Sequence, residues 1–249
     1  MIIGIIPARL KSKRIPNKPL QLIDGLPVIA HVLKRAKMSK KLDKIIVCTD
    51  DIKVLELMKK YNQEAYITKK NIKNGTDRIS IFLKENIKKF KKIKLVVDIQ
   101  CDEVFLNPKY LDKVISFHLK NLQKYDVVVP HTFTKERRNK NYVKIISNKE
   151  NKILYMTRAD APFPFRSKLK PFKRHQDFIT FSPDFITKFY YLKNRDLENY
   201  EGIELLRVLE NNYSIGTIKL KNDSFSINTK QDLLKSLLLI QKDKLRKLY

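Results

Sequence analysis

The stretch Pro7–Leu20, PARLKSKRIPNKPL, crowds Arg9, Lys11, Lys13, Arg14 and Lys18 into one short loop that three prolines stiffen. A nucleoside triphosphate brings about four negative charges to one place, and either a Gly-rich loop offers it backbone N–H groups or Arg and Lys side chains supply the countercharge. The chain has only five glycines, and none lies between Gly4 and Gly25, so a Walker-type loop and a GxGxxG fingerprint are both absent from its sequence. If phosphate binds here, Arg9, Ser12, Arg14 and Lys18 must be its ligands; the plainer alternative is a solvated basic loop. A second candidate is the acidic pair Asp102 and Glu103 in QCDEV. A carboxylate at a strand end is well placed to hold Mg²⁺ against phosphate oxygens, although two acids that cap a turn are common. No Ser–His or Cys–His constellation stands out, and Cys48 and Cys101 lie in or beside apolar runs, where reduced buried thiols without metal-type spacing are expected.

Elements that alternate in period must position these groups. IIGII reads as a buried strand, PVIAHVLKRAKM as a helix with basic residues opposite its apolar face, and KIIVCTD as a second strand. Asp51 to Tyr61 predicts an amphipathic helix with Asp50 or Asp51 as N-cap, EAYIT a short strand, Thr76 to Phe90 a helix, and KLVVDIQ a fourth strand running into CDEV. Pro108 to Asn121 is another helix and YDVVVPHTF another strand. Such alternation argues for a parallel sheet with helices on both faces, whose ligands sit at the carboxyl ends of the strands. PARLKSKR and QCDEV both fall at that edge. The second half is less regular: two antiparallel strands around a turn at Asn148 to Asn151, a proline-rich stretch, a basic and partly looped RSKLKPFKRHQDFIT, and a helix from Pro183 with Ser182 as N-cap. Tyr200 to Asn211 predicts one helix, SIGTIKL a strand, and Asn228 to Leu248 a long helix rich in Leu and Lys.

The chain has 249 residues, 43% of them hydrophobic, which allows one large α/β domain or two small ones. No apolar run approaches the roughly 18–20 residues of a membrane span, and no signal-peptide layout opens the sequence, so a cytoplasmic protein without membrane insertion is expected. A formal net charge of +27 favours polyanionic partners. The lysines are scattered over the whole chain alongside abundant Ile and Asn. That fits compositional bias better than a nucleic-acid surface, and no base-stacking motif appears.

The motifs together resemble one family. PARLKSKRIPNKPL is similar to the PAR-x-x-S-x-R-x-P-x-K-P-L segment of the CMP-sugar synthetases, most closely the 3-deoxy-manno-octulosonate cytidylyltransferase (CMP-Kdo synthetase) family. GLPVIAHVLKRA, IIVCTDD, NGTDRI, IQCDEV, NYVKII, YMTRADAPF, Arg174–His175, LENYEGIELLRVLE and INTKQDL continue the resemblance in order over nearly the whole chain. It implies a Rossmann-like parallel-sheet nucleotide-diphospho-sugar transferase fold, a single domain over residues 1–249, with a smaller antiparallel dimerisation excursion at about 130–180. It also implies the reaction of CTP with a 2-keto-3-deoxy sugar acid, Kdo or a modified Kdo, to give CMP-sugar and pyrophosphate for lipopolysaccharide or another surface glycan. By the same resemblance Ala8, Arg9, Ser12, Arg14 and Lys18 hold the triphosphate, and Thr76, Asp77, Arg78 and Gln100 line the cytidine side. Asp102 and Asn228 hold Mg²⁺, while Arg158, His175 and Glu204 meet the sugar acid; Arg9, Lys18 and Asp102 carry the catalysis, in a homodimer.

The chain departs from the family pattern at several points. Asn17 stands where Gly is usual, Cys101 and Val104 replace the Gly and Pro of Q-G-D-E-P, and Leu205 replaces a Gln that faces the sugar. The family's G-I-Y-x-Y-R after His175 is lost. Asn228 replaces an Asp that is a second metal ligand, and Asp223 is a candidate substitute. The nucleotide half is nearly intact and the sugar half is eroded, which points to a changed sugar, with a sialic-like nonulosonic acid or a catalytically impaired nucleotide-binding homologue as alternatives.

Overall fold

Strand β1 (Ile2–Ala8) leads through a small hairpin, β2 (Leu22–Ile23) and β3 (Leu26–Pro27), to helix α1 (Val28–Ala36). Then follow β4 (Lys44–Thr49), α2 (Ile52–Lys60), β5 (Ala65–Ile67), α3 (Gly75–Asn86), β6 (Leu95–Ile99), α4 (Pro108–Lys120) and β7 (Val127–Thr134). The second half contains β8 (Lys144–Ser147), β9 (Ile153–Thr157), β10 (Phe172–His175), β11 (Phe178–Phe181), α5 (Pro183–Phe189), α6 (Asp196–Glu201), α7 (Leu206–Glu210), β12 (Ile215–Lys219) and α8 (Lys230–Gln241), with a 3₁₀ turn over Lys244–Leu248. This computed structural model describes every residue except 11–13, 91, 167–170, 177, 194 and 223.

The early strands read as continuous apolar runs because both of their faces are buried. Ile3 and Ile5 of β1, Ile46 and Cys48 of β4, and Val96 of β6 enter one core with α3 and α5. Ile2 and Ile6, Val47, and Leu95 and Val97 enter the other with α1, α2 and α4. The strands form a ten-stranded sheet in the order β5-β4-β1-β6-β11-β7-β10-β8-β9, with β12 also paired to β7. β5, β4, β1 and β6 are mutually parallel, as the alternation predicts.

The sheet departs from a purely parallel one beyond β6. β11 lies antiparallel between β6 and β7. His131 of β7 pairs with His175 of β10 and with Lys219 of β12, and Val128 pairs with Thr180 of β11 and with Gly216 of β12. β10 and β11 therefore follow one another along the same edge of β7, opposite β12. The register shifts by two residues between 175↔131 and 180↔128. β8 and β9 pair antiparallel around the expected Asn148–Asn151 turn, and that turn docks on β12, where the Thr217 N–H donates to the Asn151 carbonyl at 2.9 Å. The single helix expected over 200–211 is two: Gly202, at φ 62°, caps α6 and turns the chain before α7.

Gly216 sits where β12 passes under Tyr125, and a Cβ there would lie 2.4 Å from the tyrosine ring. The ring is fixed at its far end, since the Tyr125 hydroxyl donates to the Glu150 carbonyl at 2.9 Å. Gly216→Ala is expected to destabilise the fold by about 1–3 kcal/mol through overpacking, read as a lower urea midpoint with an unchanged slope.

Candidate active site

Three elements converge at the carboxyl edge of the parallel strands. β1 ends in Ala8 and runs into Arg9, β6 runs into Gln100 and Asp102, and α3 points its first turn at both. The contact is close because Gly75 opens α3: a Cβ there would come 3.1 Å from the Pro7 ring and 3.9 Å from Gln100 Nε2. Asn74 caps α3, its carboxamide oxygen accepting from the Asp77 N–H at 2.7 Å. A helix start with its positive end at this edge suits an anion.

Arg9, Arg14 and Lys18 each have a protein partner, although the first two are exposed. The Arg9 guanidinium donates to the Lys73 carbonyl at 2.8 Å. Arg14 donates to Asn228 Oδ1 at 3.1 Å. The Lys18 ammonium pairs with the Asp102 carboxylate and donates to the Ile227 carbonyl at 2.9 Å, and the Ile227 N–H donates to the Asp102 carbonyl at 3.2 Å. Asn17, which precedes Lys18, adopts the left-handed conformation at φ 51°, so it does the backbone work of the glycine it replaces. Together these bonds draw the loop over the acidic end of β6 and the segment that starts α8. Ser12 and Asp223 lie outside the described residues.

Beneath this edge is a cluster of buried polar groups. Thr76 and Asp98 are fully buried. The Thr76 hydroxyl donates to Asp98 Oδ2 at 3.3 Å, and Gln100 Nε2 lies 3.1 and 3.2 Å from the two Asp98 oxygens. Burial, reinforced by the charge of Glu204, pushes the Asp98 carboxyl well above the usual carboxylate range, against the hydrogen bonds from Thr76 and Gln100. Glu204 is raised to about 7, by burial first and then by the nearby charge of Asp77, with the Thr76 hydroxyl and Arg207 opposing. An acid raised in this way stays protonated in the folded chain after the unfolded chain has ionised. Its contribution to stability is therefore greatest below the unfolded value of 4.5 and is lost as pH rises toward about 7. Glu204→Gln is expected to remove this loss, so the variant's melting temperature should gain on the parent's between pH 5 and pH 8, as checked by calorimetry across that range.

Asp77 and Arg78 face the interior, each about 2% exposed. Asp77 pairs with Arg207 of α7 at 2.6 Å, and Arg207 also grips Glu198 of α6 at 2.6 and 2.7 Å. Arg78 pairs with Asp50 at 3.0 Å and donates to the Thr68 hydroxyl. Both residues thus fasten α3 in place.

On the other side, the Arg158 N–H and Nε donate to the Glu201 carboxylate at 2.8 Å and to its carbonyl at 3.0 Å, and Nη1 donates to the Lys140 carbonyl at 3.0 Å. Arg158 is thereby tied to the α6–α7 corner that carries Glu204. His175 is on β10, where its N–H donates to the Val143 carbonyl at 2.9 Å. Leu205 is 1% exposed and joins the core rather than facing a cleft. Cys101 packs beside the α1 and α4 core, and burial raises its thiol to about 12.

Asp98, Arg207 and Asn74 are site residues that motif reading misses. Asp98 alone left a signal, as the one charge within the apolar strand LVVDI. Among the described residues no group of three His, Cys, Asp or Glu gathers as a metal cage. The Asp102 strand end and the segment carrying Asn228 are nonetheless joined through Ile227, whose N–H and carbonyl bond Asp102 and Lys18. One carboxylate and one carboxamide oxygen suit Mg²⁺, which takes one or two protein oxygens and completes its shell with water and substrate phosphates.

A parallel α/β edge is where open sheets bind ligands, and loop cations on one strand end with a carboxylate on the next suit the class of nucleotide-handling enzymes. The sequence matches the cytidylyltransferase family over residues 3–219, and the chain belongs to that family of nucleotidyltransferases. It is 30% identical over 235 residues to the 3-deoxy-manno-octulosonate cytidylyltransferase of a Nitratiruptor species, covering 93% of this chain and 96% of that protein. It is 31% identical over 233 residues to the enzyme of the same name from Fusobacterium nucleatum, covering 93% of each. Among solved structures it is similar to a CMP:2-keto-3-deoxy-manno-octonic acid synthetase complexed with CTP, with a TM-score of 0.89, 24% identity, and coverage of 97% of this chain and 98% of that one. The shared fold matches the α/β architecture expected from the sequence.

Proposed function

We propose that this cytidylyltransferase transfers CMP from CTP to Kdo or a modified Kdo, releasing pyrophosphate, and so supplies an activated sugar for lipopolysaccharide or another surface glycan. The observation that carries this reading is the convergence of Arg14 and Lys18 on Asn228 and Asp102 at the strand edge. The relatives' shared name over 93% of the chain supports it. The anomeric hydroxyl of the sugar forms a bond to the α-phosphorus as the bond to pyrophosphate breaks, so no protein nucleophile is needed. Catalysis is positioning and charge neutralisation. Ala8, Arg9, Ser12, Arg14 and Lys18 take the triphosphate, with Arg9 and Lys18 offsetting the charge that builds on the leaving pyrophosphate. Thr76 and Gln100 meet the cytidine, on a helix start held by Asp77 and Arg78. Asp102 and Asn228 would hold Mg²⁺, which when bound supplies positive charge at phosphate oxygens. Arg158 and His175 receive the sugar acid, where a cation offsets its carboxylate. Glu204, half protonated near neutral pH, bonds a sugar hydroxyl without adding a full negative charge.

A cytoplasmic homodimer of single-domain chains fits the same reading. Phe163 and Phe165, 78% and 82% exposed in the proline-rich stretch, offer apolar surface for a subunit contact within about 130–180. Among the described residues no helix is long and apolar enough to cross a membrane.

Pyrophosphate release from CTP and Mg²⁺ with a panel of sugar acids tests the proposal. Turnover with Kdo, absent without Mg²⁺ and weaker with UTP or ATP, is expected. Turnover of sialic-type acids but not Kdo would overturn the sugar assignment. Asn228→Asp reports on the metal: a lower Mg²⁺ requirement in the variant supports a ligand at 228, and an unchanged one removes it.

A further inference from the structure

Helix α8 has two apolar faces. Leu233, Ser236 and Ile240 turn inward, Ile240 joining the small core beneath the β2–β3 hairpin. Leu234 and Leu238, one turn apart, turn outward at 64% and 72% exposure, with Leu237 at 39% beside them. Exposed lysines flank this leucine ridge: Lys230 on one side, Lys235 and Lys242 on the other. Leu248, 69% exposed, and the exposed Lys244 and Lys247 follow in the 3₁₀ turn.

The surface is preformed. Thr229 and Asp232 close a capping box at the start of α8. The Tyr249 hydroxyl bonds His31 Nδ1 and Arg35 Nε at 3.0 Å each, and Arg246 donates to Asp24 at 2.7 Å. The two acids of the segment are both engaged, Asp232 in the cap and Asp243 with Arg35. Among the described residues Lys230, Lys235 and Lys242 face no acid within ion-pair distance, Lys235 lying 5.5 Å from the centre of the Phe225 ring, so the outward face carries leucine and lysine.

Charge decides what covers it. A two-fold dimer through this face would set the same patch against itself, lysine against lysine, and like charges in apposition are unfavourable. An anionic bilayer surface supplies negative charge for the lysines and an apolar layer for the leucines, the pairing that interfacial basic helices use. We propose that the α8 face, Leu234 and Leu238 with Lys230, Lys235 and Lys242, docks the protein peripherally on anionic lipid membranes, with the helix lying in the interface and no span inserted.

The chain contains no tryptophan, so Leu238→Trp gives a single reporter. The full-length variant is mixed with vesicles of phosphatidylcholine alone or with 30% phosphatidylglycerol, roughly the anionic content that attracts basic segments. A blue-shifted emission with the anionic vesicles only, reversed at high salt, is expected. In flotation of the untagged protein, Leu234→Ser with Leu238→Ser should lower the fraction bound at least about fivefold, as expected when two apolar anchors leave the interface, while the melting temperature and CTP turnover stay unchanged. The proposal is overturned if anionic vesicles produce no shift and no flotation. It is equally overturned if the double variant floats as well as the parent, which would leave only diffuse charge attraction. It also fails if the double substitution dissociates an oligomer in lipid-free solution, because a second copy would then be the occupant.

Discussion

Lys18→Met is expected to reduce kcat/KM for CTP by about 10²–10³-fold, the scale of losing one preorganised charge contact at a reacting phosphoryl group. Two effects combine in this residue. Its ammonium joins the Asp102 carboxylate to the Ile227 carbonyl, so it fixes the distance between β6 and the segment that carries Asn228. In the proposed reaction it would also supply a cation to a triphosphate that no glycine-rich backbone cradles. Met keeps the length and apolar stem of the side chain while removing the charge. Steady-state kinetics with CTP varied at saturating sugar and Mg²⁺ checks it. Lys18→Arg should recover part of the loss, and a melting temperature close to the parent's would separate a catalytic effect from an unfolded one. A variant with unchanged kcat/KM would remove Lys18 from the site.

Arg207→Met is the change expected to damage the fold most. Arg207 is 1% exposed, pairs with Asp77 at 2.6 Å, bonds both oxygens of Glu198, and lies 4.2 Å from the centre of the Phe189 ring. Removing one partner of a buried ion pair leaves the other charge uncompensated, which costs about 3–5 kcal/mol. For a chain of this size that is roughly 6–20 °C in melting temperature. The double variant Arg207→Met with Asp77→Asn should recover part of the loss, because the more deeply buried stranded charge is gone while Glu198, 15% exposed, keeps its own. If the two substitutions simply added, the pair would not be the source of the stability.

The first half of the fold is legible in the sequence because its strands are buried on both faces and so read as unbroken apolar runs between helical periods. β11 is not: FITF follows the charged KRHQD, and only its partners β6 and β7 make it a strand. The break between α6 and α7 rests on one glycine that helical periodicity passes over. Within the site, the cations of the first loop are legible by type and crowding. Their partners are not, since Arg9 reaches Lys73 and Arg14 reaches Asn228, 64 and 214 residues away. Asp77 shows the same difficulty: the resemblance of NGTDRI implies a ligand contact, but its buried partner Arg207 is 130 residues downstream. Lys18 and Asp102 are found at the strand edge where alternation places ligands, because that edge follows from strand direction alone.

The strand pair formed by β7 with β10 and β11 bears on how the molecule can move. β11 is bonded to β6 on one side and to β7 on the other, while β10 continues the same edge out to β8. The parallel strands under the candidate nucleotide site and the antiparallel strands that carry His175 and lead into Arg158 are thus stitched into one continuous sheet. Clamshell closure of two lobes around a ligand would have to unzip that ladder. Adjustment to a bound ligand would then fall to what hangs over the sheet, such as the turn after β6 and the corner at Gly202.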